Sequence, residues 1–188
     1  MNHFYKSVVG WCDFEDVYFE AVANAPNDAK FAEIGSWRGQ SAAYLGVEII
    51  NSGKNISLVC VDTFKGSPQM KIIGDGSYDE IIAKEGSCYK EFLKNIKPVS
   101  RVITPLEMTS EEASKLYPDN HFDFVFIDAG HTYEDVILDL KCWLPKIKSG
   151  GVIAGHDCNW AGVRQAINEV FGTNGYGIKG QSWHVKVP

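Results

Sequence analysis

Five short apolar runs punctuate the chain: Lys30–Ile34, Ile56–Val61, Arg101–Thr104, Phe122–Ile127 and Gly151–Ala154. Their brevity and their β-branched and aromatic content predict strands covered on both faces, the kind found in parallel sheets. Between them apolar positions return at helical spacing, as at Tyr44, Val47 and Ile50 after the first run and at Val136, Leu140 and Leu144 after the fourth. Thr132 with Asp135 three residues later predicts the start of that last helix, and Lys146–Gly151 its basic, glycine-rich stop. Strands alternating with helices imply right-handed crossovers. The expectation is an α/β fold: a doubly wound, mostly parallel sheet with helices on both faces, one domain spanning residues 1–188.

Three segments depart from this rhythm. Residues 1–29 are rich in aromatics (Phe4, Tyr5, Trp11, Phe14, Tyr18, Phe19) and predict an amphipathic helical segment that packs on the sheet or on a partner chain. Some 35 residues, 64–98, separate the second and third runs; they pass through Lys65-Gly-Ser-Pro68 and Gly74-Asp-Gly76 before a helical stretch near Tyr78–Asn95. Connections this long are usually functional, so residues 64–98 are expected to form a lid-like part of the substrate mouth, with surface decoration as the alternative. The tail, Gly172–Pro188, is turn-rich and alternates over Trp183–Val187 like a last edge strand.

Of the 188 residues, 45% are apolar and 22% charged, an ordinary globular composition, and the net charge of −6 disfavours a nucleic-acid grip. Small polar or sugar-like partners fit that balance better. Five cysteines, an odd number without zinc-site or disulfide spacing, read as reduced thiols. No apolar stretch reaches membrane-spanning length, so no membrane partner and a cytoplasmic location are expected.

The ends of the predicted strands carry the candidate chemistry, because ligands in open α/β sheets sit at the carboxyl ends of the strands. The first run enters Glu33-Ile-Gly-Ser-Trp-Arg-Gly-Gln-Ser41, where Gly35 and Gly39 allow a tight turn and close backbone approach at a helix N-terminus. The spacing is not the Gly-x-Gly-x-x-Gly of nicotinamide sites, and Glu33 suits a cationic ligand better than a pyrophosphate. The second run ends in Asp62, placed to hold both hydroxyls of a ribose. The fourth ends in Asp128-Ala-Gly-His131 and the fifth in Gly155-His-Asp157. Asp128 and Asp157 at neighbouring strand ends can hold a hard divalent cation, with His131 as a general base. The alternatives are that Asp128 caps the next helix, that His131 is a surface histidine, and that Asp157 pairs with Arg164 or caps the last helix.

Taken together, Glu33–Ser41, Val61-Asp-Thr-Phe-Lys-Gly-Ser67, Phe122–Glu134, Gly150–Asp157 and Gly162-Val-Arg-Gln-Ala166 resemble the class I S-adenosylmethionine-dependent methyltransferases. More narrowly they are similar to the small-molecule O-methyltransferases grouped with macrolide-sugar methyltransferases and cephalosporin-hydroxylase-like proteins. The resemblance covers roughly residues 31–171 and implies a Rossmann-like fold that transfers a methyl group to a hydroxyl of a small-molecule acceptor, a sugar or glycosylated metabolite being favoured. It implies S-adenosylmethionine as cofactor, with Glu33, Gly35, Ser36 and Gly39 at the cofactor turn, Ser41 on the methionine carboxylate and Asp62 on the ribose. Leu106-Glu107-Met108 would lie along the adenine, and Asp128 would border the cofactor as well. In the metal-dependent members the positions matching Asp128 and His156-Asp157 hold magnesium, and the one matching His131 takes the substrate proton.

One departure matters: His156 stands where well-understood members have an acidic residue, which opens the site to manganese, iron or zinc as well as magnesium, or leaves His156 as a hydrogen-bonding residue of the turn. The short ending after the last helix is expected to leave little room for the antiparallel strand pair usual in this fold, and a homodimer would then complete the substrate pocket. The competing functional reading is a non-catalytic S-adenosylmethionine-binding regulatory or scaffold protein.

Overall fold

A computed structural model describes residues 1–66 and 76–188; part of the expected insertion, including Ser67, Pro68 and Gly74, lies outside the described residues. The strands are β1 (Lys30–Ile34), β2 (Ser57–Asp62), β3 (Ile103–Glu107), β4 (Phe122–Ile127), β5 (Ile147–Gly155), β6 (Gly177–Lys179) and β7 (Ser182–Lys186). They form one sheet in the order β3-β2-β1-β4-β5-β7-β6, with β1 to β5 parallel and β6 and β7 antiparallel. The helices are α1 (Glu15–Asn24), α2 (Gln40–Ser52), α3 (Gly76–Glu85), α4 (Tyr89–Ile96), α5 (Ser110–Ser114), α6 (Tyr133–Trp143) and α7 (Ala161–Phe171). The doubly wound expectation holds.

Alternation along each strand divides the core in two, because successive side chains leave opposite faces of a sheet. Phe31, Leu58, Cys60, Phe124 and Phe126 face one layer with Phe14, Tyr18, Leu45 and Phe92. Ala32, Ile34, Val59, Val125 and Ile127 face the other with Val136, Leu140, Trp143, Val163 and Ile167. Phe14, just before α1, and Tyr18 within it lie against Phe126 with ring centroids 4.6 and 4.8 Å away, while Trp11 and Phe19 are exposed. Three carbonyls at the end of α1 (Val22, Ala23, Ala25) accept from Lys54 Nζ at 2.8 Å each, which fastens the helix to the sheet layer.

Several boundaries move, each for a local reason. β3 starts at Ile103 because Lys97–Val102, led by Pro98, forms a 3₁₀ segment. The expected helical stretch near Tyr78–Asn95 is two helices, α3 and α4, broken at Gly86 in the left-handed region (φ +76°). Phe92 and Ile96 of α4 are buried in the core. Helix α6 ends at Trp143, and Lys146–Gly151 belongs to a 3₁₀ turn and to β5, whose register with β4 shifts between Phe122 and Phe124. The expected shortage of room at the end is overturned: the Gly180 turn folds the tail into the antiparallel pair β6–β7. Trp183–Val187 is accordingly not an edge; β7 pairs with β5 on one side and β6 on the other, and Trp183 is buried. No helix among the described residues is long and apolar enough to cross a membrane.

Candidate active site

At the carboxyl end of β1 the chain turns sharply, with Gly35 at φ +91°, Trp37 at +41° and Gly39 at +85° before α2 begins. An added Cβ at Gly35 would lie 2.0 Å from the Asp128 carbonyl oxygen, so only glycine lets the turn pass this close to the end of β4. The turn is pinned from both sides. Beneath it, Glu33 is fully buried and accepts from Tyr18 Oη at 2.7 Å and Ser36 Oγ at 2.6 Å. Burial raises the Glu33 carboxyl, opposed by hydrogen bonds from Ser36, Tyr18 and Ser41. Beside it, Asp62 accepts from the backbone N–H groups of Trp37 (2.8 Å) and Phe64 (2.6 Å), two residues held at positive φ. Burial pushes the Asp62 carboxyl up as well, against these backbone donors.

The ends of β4 and β5 bring Asp128, His131 and Asp157 together, with one potential ligand atom from each within 4.8 Å of the others. His131 Nε2 stands 2.8 Å from Asp157 Oδ2 and 3.8 Å from Asp128 Oδ1. Burial works against a charged His131, but hydrogen bonds to Asp128 and Asp157 and their charges overcome it and push the imidazole up to about 9. Burial likewise opposes the charged Asp157, yet hydrogen bonds from His131 and His156 hold its carboxyl well below the usual range. Two converging carboxylates thus demand positive charge, which the His131 imidazolium supplies here. This donor set, hard carboxylates with one imidazole, also fits a divalent cation such as magnesium or manganese.

His156 stands between the N-terminal segment and the acidic cluster, with Nδ1 4.0 Å from Asp128 Oδ1. Its Nε2 faces Asp13 Oδ1 at 2.8 Å and its Nδ1 faces Asp157 Oδ1 at 3.4 Å, while its ring leans on Phe14. Among the described residues it lies outside the three-residue cluster and links the N-terminal segment to it.

These groups border one cavity of about 940 Å³, at the upper end of the ~300–1,000 Å³ usual for small-molecule sites. Gly35, Ser36, Gly39, Ser41, Asp62, Met108, Asp128, His131, His156 and Asp157 line it. Glu33 lies beneath the turn, and Glu107 is exposed, near Ser87 Oγ at 3.4 Å; neither is on the wall.

The wall also holds residues that sequence reasoning passed over. Trp11, stacked on Trp37 with ring centroids 5.2 Å apart, comes from the N-terminal segment, whose aromatics gave only a packing signal. Trp160 lies against His131 at 4.8 Å. Asp139 sits on the buried face of α6, an acidic residue between apolar positions 136 and 140 whose placement was the available signal. Its carboxylate accepts from Ser110 Oγ.

Burial raises Asp139 to about 6, with the Asp135 charge adding to it and Ser110 opposing. From the ordinary 3.8 up to about 6, the folded chain keeps a proton that the unfolded chain has lost, so this group subtracts stability as pH rises through that window. Asp139→Asn, which leaves Ser110 an acceptor, should melt higher than the wild type at about pH 7.5, the gap closing towards about pH 4; an unchanged gap across scanning-calorimetry melts contradicts this.

A family model described as a methyltransferase domain matches residues 32–158, from within β1 to just past the acidic end of β5 and more than half of the chain. The chain belongs to this methyltransferase family. The matched span contains the glycine turn, Asp62, Asp128, His131 and Asp157. A search of curated proteins finds no match. Among solved structures, the fold of this methyltransferase is similar to the O-methyltransferase NovP, at 17% identity and TM-score 0.66, over 92% of this chain and 78% of that one. It is also similar to CalS11, a calicheamicin methyltransferase, at 16% identity and TM-score 0.68 over 92% and 76%. A third is the precorrin-6y C5,15-methyltransferase from Geobacter metallireducens GS-15, at 18% identity and TM-score 0.58 over 93% and 76%. At such identities the likeness concerns the fold.

Proposed function

We propose that the protein transfers a methyl group from S-adenosylmethionine to a hydroxyl of a small molecule, a sugar or glycosylated metabolite being the favoured acceptor. The observation that carries this reading is that Asp128, His131 and Asp157 converge on the same cavity as the Gly35–Gly39 turn. Residues of the turn and the first turn of α2, Ser41 among them, would receive the donor's carboxylate at a helix N-terminus, and the Asp62 carboxylate its ribose. The sulfonium donor supplies a methyl group that is already activated.

Asp128 and Asp157 would hold a magnesium or manganese ion, which when bound supplies positive charge that orients an acceptor hydroxyl and eases loss of its proton. With that ion's charge in place of the imidazolium's between the two carboxylates, His131 would be neutral and would take that proton at Nε2. As the oxygen–carbon bond forms, the carbon–sulfur bond breaks and its electron pair stays on sulfur. Trp160, packed on the His131 ring, restricts that ring's movement. Alignment of oxygen, carbon and sulfur by these walls supplies most of the acceleration. Oxygen as the acceptor atom and a sugar as its bearer gain support from NovP, an O-methyltransferase, and CalS11, a TDP-rhamnose 3′-O-methyltransferase.

The test is transfer of a labelled methyl group from S-adenosylmethionine to a panel of sugars, glycosides and phenols, with magnesium, manganese or a chelator. Metal-stimulated labelling of a hydroxyl, lost in His131→Ala, is expected. Labelling only of nitrogen or carbon acceptors, indifferent to metal, would overturn the O-transfer reading.

A further inference from the structure

We propose that Trp160 is the platform on which the acceptor's ring lies, and that it decides which hydroxyl of that ring is methylated. The inference rests on the proposed methyl transfer and names a specificity-determining residue for it. In-line transfer puts the acceptor oxygen and the donor sulfur on opposite sides of the methyl carbon. With the donor at the Gly35–Gly39 turn and Asp62, at the ends of β1 and β2, the acceptor lies on the far side of Asp128, over β5 and β7. There the cavity is bordered by Asp157 and Trp160, which follow β5, and by Gln181 of the β6–β7 turn.

Trp160 is an unexpected residue for its place in the fold. It is the N-cap of α7, a position that favours short polar side chains, and its side chain makes no cap hydrogen bond. Helices α5 and α6 follow the rule: Thr109 and Thr132 each accept from a backbone N–H three residues on. The indole gives α7 no such bond, and the core does not enclose it, since 38% of the residue is exposed and it lines the cavity. A large aromatic surface that stands in place of a cap and opens on a cavity suits the apolar face of a ligand.

Two features turn that surface into a selector. It adjoins the base, with the Trp160 and His131 ring centroids 4.8 Å apart and their planes 35° from parallel. It is also fixed relative to Asp157: the Trp160 N–H donates to the Asp157 carbonyl at 2.8 Å, and the Trp160 carbonyl accepts from the Arg164 N–H at 2.9 Å. Arg164 Nε donates in turn to the Cys158 carbonyl at 2.8 Å. Platform, carboxylate and base therefore keep constant distances from one another. A pyranose or arene resting its flat face on the uncovered part of the indole turns one edge towards His131 Nε2, and the hydroxyl on that edge is the one that reacts.

A purely structural role, restraining the His131 ring, would be met by any apolar side chain of similar bulk. Trp160→Leu and Trp160→Phe separate the two roles, since both fill space beside His131 but only phenylalanine keeps a flat face. Wild type and variants are assayed with the p-nitrophenyl glycosides of rhamnose, fucose, xylose and glucose, each of which carries several free hydroxyls. The readouts are kcat, KM, the ratio of mono-O-methyl isomers by NMR, the affinity for S-adenosylmethionine and a melting curve. The wild type should give one isomer of its best glycoside in about tenfold excess or more. Trp160→Leu should raise KM for that glycoside by about tenfold and cut the excess below about threefold, with donor affinity unchanged, and Trp160→Phe should fall between them. A Trp160→Leu protein with the wild-type KM and isomer ratio overturns the proposal even if kcat falls, because that pattern belongs to restraint of the base alone. A wild type that methylates without isomer preference overturns it too. If Trp160→Leu does not fold, Trp160→Phe decides: values shifted part-way support the proposal and wild-type values overturn it. If the wild type binds S-adenosylmethionine but methylates no glycoside, the sugar-acceptor reading itself fails, and the inference with it.

Discussion

Asp157→Asn is expected to lower the methyl-transfer rate by about 10²-fold or more while leaving the affinity for S-adenosylmethionine within about threefold, the range expected when a charge serves the reacting end alone. Asp157 sits in the left-handed region at φ +55°, where asparagine is also well tolerated, so the backbone after β5 should survive the change. What changes is charge. Asp157 Oδ2 lies 2.8 Å from His131 Nε2 and Oδ1 lies 3.4 Å from His156 Nδ1, and a neutral amide halves the negative charge shared by Asp128 and Asp157. The proposed cation would lose one of its two carboxylates, and His131 its fixed neighbour. Donor contacts at Gly35, Ser41 and Asp62 are untouched. Steady-state rates beside calorimetric donor affinity check this; a variant with the full rate would remove Asp157 from the chemistry.

Gly35→Ala should have the largest effect on the folded state, roughly 3–5 kcal/mol with loss of donor binding, because it combines backbone strain with a clash. The residue sits at φ +91°, and the new Cβ would meet three backbone atoms of Asp128 and Ala129 within 2.8 Å. Backbone cannot swing aside as a side chain can, so β1 and β4 must separate at the point where the Asp128 N–H bonds the Ile34 carbonyl at 2.7 Å. Gly53→Ala is the control: that glycine also has positive φ (+69°) but nothing within 4 Å of an added Cβ. It should cost about 1 kcal/mol from strain alone and leave donor binding intact. Equal melting temperatures for the two variants would refute the steric account.

Much of this arrangement was legible in the chain before folding, for reasons that differ by element. β1, β2 and β4 are buried on both faces, so each writes a short apolar run that stops where the cavity begins, at Gly35, Asp62 and Asp128. The Thr132 cap is local: its Oγ1 accepts from the Asp135 N–H at 3.2 Å, three residues away. What stayed hidden depends on distant pairings. β6 has three residues and exists because β7 lies beside it, so the alternation at Trp183–Val187 announced a strand but not its second neighbour. At His156, a candidate ligand position in the sequence, no local pattern announces the contact with Asp13, 143 positions earlier, or the packing on the Phe14 ring. Trp11 and Asp139 reach the cavity only through packing of α1 and of α6 against α5. Glu33, by contrast, sits at the end of a motif yet serves beneath it, fixing the turn from inside the core.

Calorimetric titration of the wild-type protein with S-adenosylmethionine and with S-adenosylhomocysteine, with and without manganese, and with NADH as the comparison ligand, bears most directly on the account. Saturable binding of both sulfur nucleosides at one site per chain, with no response to NADH, is the predicted result. Binding of NADH with no heat from either sulfur nucleoside would contradict it, and would assign the cavity beside the Gly35–Gly39 turn to a different chemistry.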